Sequence, residues 1–118
     1  MNKLTIYERE TGDVIILDLN GDVIYGEGNI QLRNAIRRLL GEDKKKIHLN
    51  FQSAGYVDSS GIGELISAFT AINREGGELK LLNLSARVKE LLDICKLTSV
   101  FEIYEERNLF ASHKLGSN

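Results

Sequence analysis

The chain has 118 residues, 42% of them hydrophobic and 27% charged, which fits one ordinary globular domain and excludes an intrinsically disordered protein. A formal net charge of −2 argues against nucleic-acid binding, which calls for a concentrated basic surface. One cysteine permits no disulfide within the chain, and no apolar run approaches the ~20 residues of a membrane span.

Leu4 to Glu8 and Val14 to Leu19 alternate as two strands around a Thr11-Gly12-Asp13 turn, which predicts a hairpin. Residues 21–28, Gly-Asp-Val-Ile-Tyr-Gly-Glu-Gly, read as a loop, and Asn29 as the cap of a helix with the stripe Leu32, Ile36, Leu39 and Leu40. Gly41 ends that helix, and Lys44-Lys45-Lys46 reads as a solvated connector. A third strand, Lys46 to Phe51, puts Ile47, Leu49 and Phe51 on one face and His48, Asn50 and Gln52 on the other. A second helix is expected from Ser60 to Arg74, stopped by Gly76-Gly77, with Ile62, Leu65, Ile66, Phe69 and Ile72 as its stripe. Glu78 to Leu82 is a fourth strand. Ser85 caps a third helix, on whose apolar face Cys95 is expected to pack. Val100 to Tyr104 is a last strand, with a frayed helix near Arg107 to Ser112; residues 1–112 form one domain and 113–118 a disordered tail.

Alternating strands and helices after a hairpin predict an α/β fold with largely parallel strands. A strand covered on both faces is apolar almost throughout. The third strand is not, so the helices are expected mainly on one side of a sheet of about five strands, with the other face partly wet or covered by a partner.

The most informative run is Tyr56-Val57-Asp58-Ser59-Ser60-Gly61-Ile62-Gly63. It sets two hydroxyls beside a carboxylate where a strand gives way to a helix. Asp and Ser favour the N-cap, and a helix N-terminus tolerates added negative charge through its free N–H groups and dipole. A hydroxyl there is a reasonable place to receive a phosphate. The plainer account is that these residues only cap the helix.

Other chemistries fit less well. A serine hydrolase needs a base near its nucleophile; of the two histidines, His48 reads as a solvent-face residue and His113 falls in the tail. The Gly-x-Ser-x-Gly elbow is missing as well. Asp58 near a strand end suggests a phosphoaspartate receiver, but Asp18 and Asp22 do not form the acidic pair such a site uses. Gly26-Glu27-Gly28 reads as turn glycines rather than a nucleotide cradle. Cys and His show no metal-ligand spacing, and no cofactor is expected.

The stretches Val57-Asp58-Ser59-Ser60-Gly61-Ile62-Gly63, Gly76-Gly77-Glu78-Leu79 and Val88-Lys89-Glu90-Leu91-Leu92 resemble the STAS domain, and above all the free-standing bacterial anti-sigma factor antagonists. The likeness runs from about Leu4 to Glu105. It implies a right-handed β-α superhelix and a non-enzymatic, partner-switching role in transcription regulation. Unphosphorylated, such an antagonist binds an anti-sigma factor that is also a serine kinase, which frees a sigma factor. Phosphorylation reverses this, and a serine phosphatase resets it. Carried over by motif, the phosphoacceptor is Ser59, with Ser60 as the alternative, and Asp58 and Gly61 shape the turn while Ser60 caps the helix. Gly63, Glu64 and Ser67, expected to be exposed on the second helix, are candidate partner-binding residues. Relatives commonly carry Gly-acidic-Leu-Asp after the second strand; here Ile24 stands in the aspartate's place. The expected molecule is a cytoplasmic monomer with no signal region, no membrane and no nucleic acid among its partners. An alternative is a non-switching scaffold of a stressosome-like or transporter-associated complex.

Overall fold

The computed structural model describes residues 2–109, so the expected tail at 113–118 and His113 lie outside the described residues. The elements run β1 (Thr5–Thr11), β2 (Val14–Val23), α1 (Glu27–Gly41), β3 (Lys46–Val57), α2 (Ser59–Arg74), β4 (Glu78–Leu82), α3 (Ala86–Ile94) and β5 (Glu102–Tyr104). One helical turn at 106–109 follows. The five strands lie in sequence order, β1 antiparallel to β2 and every later neighbour parallel.

One core joins the sheet to the helices. Ile15, Leu17 and Leu19 of β2, Ile47, Leu49 and Phe51 of β3, and Leu79 and Leu81 of β4 meet Leu32, Ile36 and Leu39 of α1, Ile62, Leu65 and Ile72 of α2, and Val88 and Leu92 of α3. The period-2 alternation of each strand therefore aims one row at the helices. The mixed sheet with helices mostly on one face is the architecture expected from the polar row of β3.

The back face departs from its expectation at His48. It is only 3% exposed, not a solvent-face residue, and its Nε2 lies 2.9 Å from Glu78 Oε2. In the strand register it sits beside Ile16, itself fully buried, and Lys80. Next along the same face, Arg9 forks onto Asp18 (2.6 and 2.8 Å) and Glu106 (3.2 Å). Asn50 donates to Asp18 at 2.7 Å and accepts from Asn83 at 2.7 Å. Burial opposes ionisation of Asp18, yet the Arg9 and Asn50 hydrogen bonds outweigh it and hold the carboxyl below its ordinary value.

Two strands outrun their sequence patterns. β2 continues through Gly21-Asp22-Val23, and β3 reaches Val57 with register shifts on the way. Gly21 is in the ladder at φ +116°, a conformation that favours glycine, and a Cβ there would strike the Lys3 carbonyl. Residues 21–28 are thus strand, a short turn and the start of α1. Cys95 is likewise not packed: it is the C-cap of α3 and is exposed.

Candidate functional site

The strand ends of β2 and β3 bring the starts of α1 and α2 together. Val23 pairs with Val57, and the Asp58 N–H reaches the Val23 carbonyl at 3.4 Å. Buried Asp22 ties this end down: Oδ2 accepts from the Asn2 N–H and Oδ1 from the Tyr56 N–H, both at 2.9 Å. Gly61 completes the junction, since a Cβ there would run into the Val23 carbonyl oxygen.

Asp58, not Ser60, is the N-cap of α2. Its backbone is extended (φ −95°, ψ −178°), and Oδ1 accepts from the Gly61 N–H at 2.8 Å. The same oxygen accepts the Ser60 hydroxyl at 2.5 Å, while Oδ2 accepts from the Tyr25 N–H at 3.1 Å. Burial opposes the charge, but the hydrogen bonds from Ser60, Gly61 and Tyr25 prevail and hold the Asp58 carboxyl below its ordinary value.

The two adjacent serines differ sharply. Ser59 is exposed, and no hydrogen bond among the described residues engages its hydroxyl. Ser60 is half-buried; it donates to Asp58 and accepts from Asn29 Nδ2 at 2.8 Å. Asn29 therefore does not cap α1. The cap position is Gly26, at φ +100° and without a side-chain hydrogen bond, and Asn29 is buried inside the first turn.

Three apolar side chains stand exposed on the segments that meet here: Tyr25 (85%), Tyr56 (57%) and Ile30 (49%). The Arg87 guanidinium lies 5.9 Å from the centre of the Tyr56 ring, which brings the start of α3 to the same end. Sequence reasoning missed both tyrosines as surface features. Their signal was an aromatic next to a glycine on each segment, Tyr25-Gly26 and Gly55-Tyr56, which pattern alone leaves ambiguous.

Of the candidate partner residues, Gly63 and Ser67 are exposed but Glu64 is not. It is 7% exposed, and its carboxylate is forked by Arg33 at 2.7 and 3.2 Å. The pair flanks a groove of about 310 Å³ between α1 and α2, lined by Leu32, Ile36, Ser67 and Ala68 among others. The α2 stripe is rotated to match: Ala68 is buried and Ile66 is 40% exposed.

The rival chemistries find no support in this geometry. His48 is on the back face and nine strand residues before Val57, on the order of 30 Å away along an extended chain. Asp18 is held by Arg9 on that face while Asp22 is buried under the β3 end, so they form no acidic pair. Gly28 is a packing glycine, because a Cβ would strike the Asp22 carbonyl. Among the described residues, no three His, Cys, Asp or Glu side chains gather as a metal site, and no helix is long and apolar enough to cross a membrane.

A family model for the STAS domain matches residues 6–110. The anti-sigma-B factor antagonist of Bacillus subtilis is 30% identical over 100 residues, which cover 74% of this chain and 92% of that protein. A Thermotoga maritima protein described as a candidate anti-sigma factor antagonist has the same fold, with a TM-score of 0.79 and 22% identity over 85% of this chain and 86% of that one. The Bacillus cell fate determinant SpoIIAA in its phosphorylated form matches with a TM-score of 0.70 and 19% identity, over 93% of this chain and 98% of that one.

Proposed function

The chain belongs to the STAS domain family, related to known anti-sigma factor antagonists, and we propose that it is a phosphorylation-switched antagonist acting in the cytoplasm. In this reading the unphosphorylated protein docks on an anti-sigma factor that is also a serine kinase, through the surface around Ser59. The kinase phosphorylates Ser59, the complex separates, and a serine phosphatase restores the docking form. The observation that carries the reading is the Ser59 hydroxyl, exposed at the start of α2 beside Tyr25 and Tyr56 and without a hydrogen bond among the described residues. That a protein of the same fold, SpoIIAA, exists in a phosphorylated form supports it.

The physics suffices without a change of fold. A phosphoserine adds about −1.5 to −2 charges and strong acceptor oxygens. The helix N-terminus accommodates part of that charge. A partner seated on the site must instead bury it, and an uncompensated buried charge costs about 3–5 kcal/mol. About 3 kcal/mol already weakens an affinity roughly a hundredfold.

The test is affinity capture from lysate of the source cells with wild type and Ser59→Glu as baits. Wild type is expected to retain an ATP-binding serine kinase that Ser59→Glu loses. Equal recovery by both baits would overturn the switch and favour a constitutive scaffold.

A further inference from the structure

The two serines of the switch turn are neighbours in sequence, and the Asp58 carboxylate engages Ser60, not Ser59. That carboxylate takes the Ser60 hydroxyl proton in a 2.5 Å hydrogen bond. A carboxylate so placed is the arrangement of a general base, and alone it would favour Ser60 as the nucleophile. Phosphoryl transfer from ATP requires an oxygen lone pair on the attacking hydroxyl. The new Oγ–P bond forms as the bond from the γ-phosphorus to the β,γ-bridging oxygen breaks, its electron pair leaving with ADP and the hydroxyl proton passing to a base.

Asn29 occupies one of the two lone pairs of the Ser60 oxygen and, together with Asp58, pins the direction of the other. From the first turn of α1 it donates Nδ2–H to Ser60 Oγ at 2.8 Å. The orientation of the amide is forced: Ser60 already spends its proton on Asp58, so only a donor can face it. The buried Asn29 leaves its own Oδ1 without a partner among the described residues. An amide kept for core satisfaction would not strand its acceptor there. Among the described residues its one side-chain hydrogen bond is the one to Ser60.

We infer that Asn29 is a positioning residue that fixes the phosphoacceptor at Ser59 by locking the Ser60 hydroxyl between an amide donor and the Asp58 carboxylate. The inference rests on the kinase reading above and deepens it. The selection is made by a helix other than the one that carries both serines, so it is invisible to any reading of the Asp-Ser-Ser-Gly run by itself. Ser59 is selected because its hydroxyl is exposed and has no partner among the described residues to stop it turning toward the phosphorus, whereas Ser60 is half-buried and pinned by two.

The experiment uses the full chain, ATP and the serine kinase that the wild-type bait recovers, with the phosphate assigned between residues 59 and 60 by fragmentation mass spectrometry. Wild type is expected to carry phosphate on Ser59, and Ser59→Ala to take only a trace on Ser60. Adding Asn29→Ala or Asn29→Leu to Ser59→Ala is expected to raise phosphate on Ser60 by about tenfold or more, a change of about 1.4 kcal/mol in the barrier. Asn29→Leu keeps the branching and heavy-atom count of the side chain and Asn29→Ala adds no bulk, so a folded variant is at hand. Ser60 labelling that is the same with and without Asn29 overturns the lock while leaving the switch intact. A wild type that takes no phosphate overturns the kinase reading and the lock together. Independently of any kinase, NMR side-chain couplings should report one Ser60 rotamer in the wild type and rotamer averaging in Asn29→Leu. Rotamer averaging in the wild type overturns the lock.

Discussion

Gly61 and Val23 touch backbone to backbone, the α-carbon of the one lying where any side chain would strike the carbonyl oxygen of the other. This contact sets how closely α2 begins against the end of β2, and so where Asp58 and Ser59 stand. Gly61→Ala must push the two apart. Overpacking of this kind costs about 1–3 kcal/mol, and urea denaturation should show a lowered midpoint. An unchanged midpoint would mean that the helix start is free to shift and that the turn is not fixed by this contact.

Acid should weaken the same corner. The Asp58 carboxyl is held below its ordinary value in the folded chain. The unfolded chain therefore binds the proton first, so the stabilisation is full above about pH 4 and is lost as pH falls through the lower folded value. Asp58→Asn, which can still cap but cannot ionise, should show a shallower fall of melting temperature between pH 5 and pH 2.5, a range chosen to bracket the ordinary carboxyl value of about 3.9. Parallel curves for the two proteins would remove Asp58 from the acid response.

Arg33 and Glu64 give a third prediction. The Glu64 side chain is 8% exposed and the Arg33 side chain 45%, so removing the arginine strands a buried carboxylate. Arg33→Ala should destabilise the protein, and the double variant Arg33→Ala with Glu64→Leu should be more stable than Arg33→Ala alone. Chemical denaturation of the four members of the cycle measures this. A double variant that merely adds the two losses would show that the pair is uncoupled.

The fold was legible because the apolar rows of β2, β3 and β4 alternate cleanly and the polar row of β3 betrays helices on a single side. What escaped the sequence are places where a residue serves a distant element. Gly21 looks like a turn but continues a strand at φ +116°, and its lack of a side chain admits the close approach of the Lys3 carbonyl. Asn29 looks like a cap but reaches across to α2, and Glu64 looks solvent-facing but turns into the α1–α2 groove. His48 follows the polar row of its strand, yet that row is covered around Ile16. Of the candidate site, the run from Asp58 to Gly61 stood out from residue types alone. The difference between Ser59 and Ser60 did not, because it depends on an amide thirty-one residues away in the chain.

The most direct measurement is the affinity of one kinase preparation for two forms of this protein, unphosphorylated and stoichiometrically phosphorylated, by isothermal titration calorimetry, with circular dichroism on each. The account predicts binding weakened roughly a hundredfold or more by the phosphate, with the spectrum and melting temperature of the free protein nearly unchanged. Equal affinities, or a phosphorylated form that has lost its fold, would contradict it.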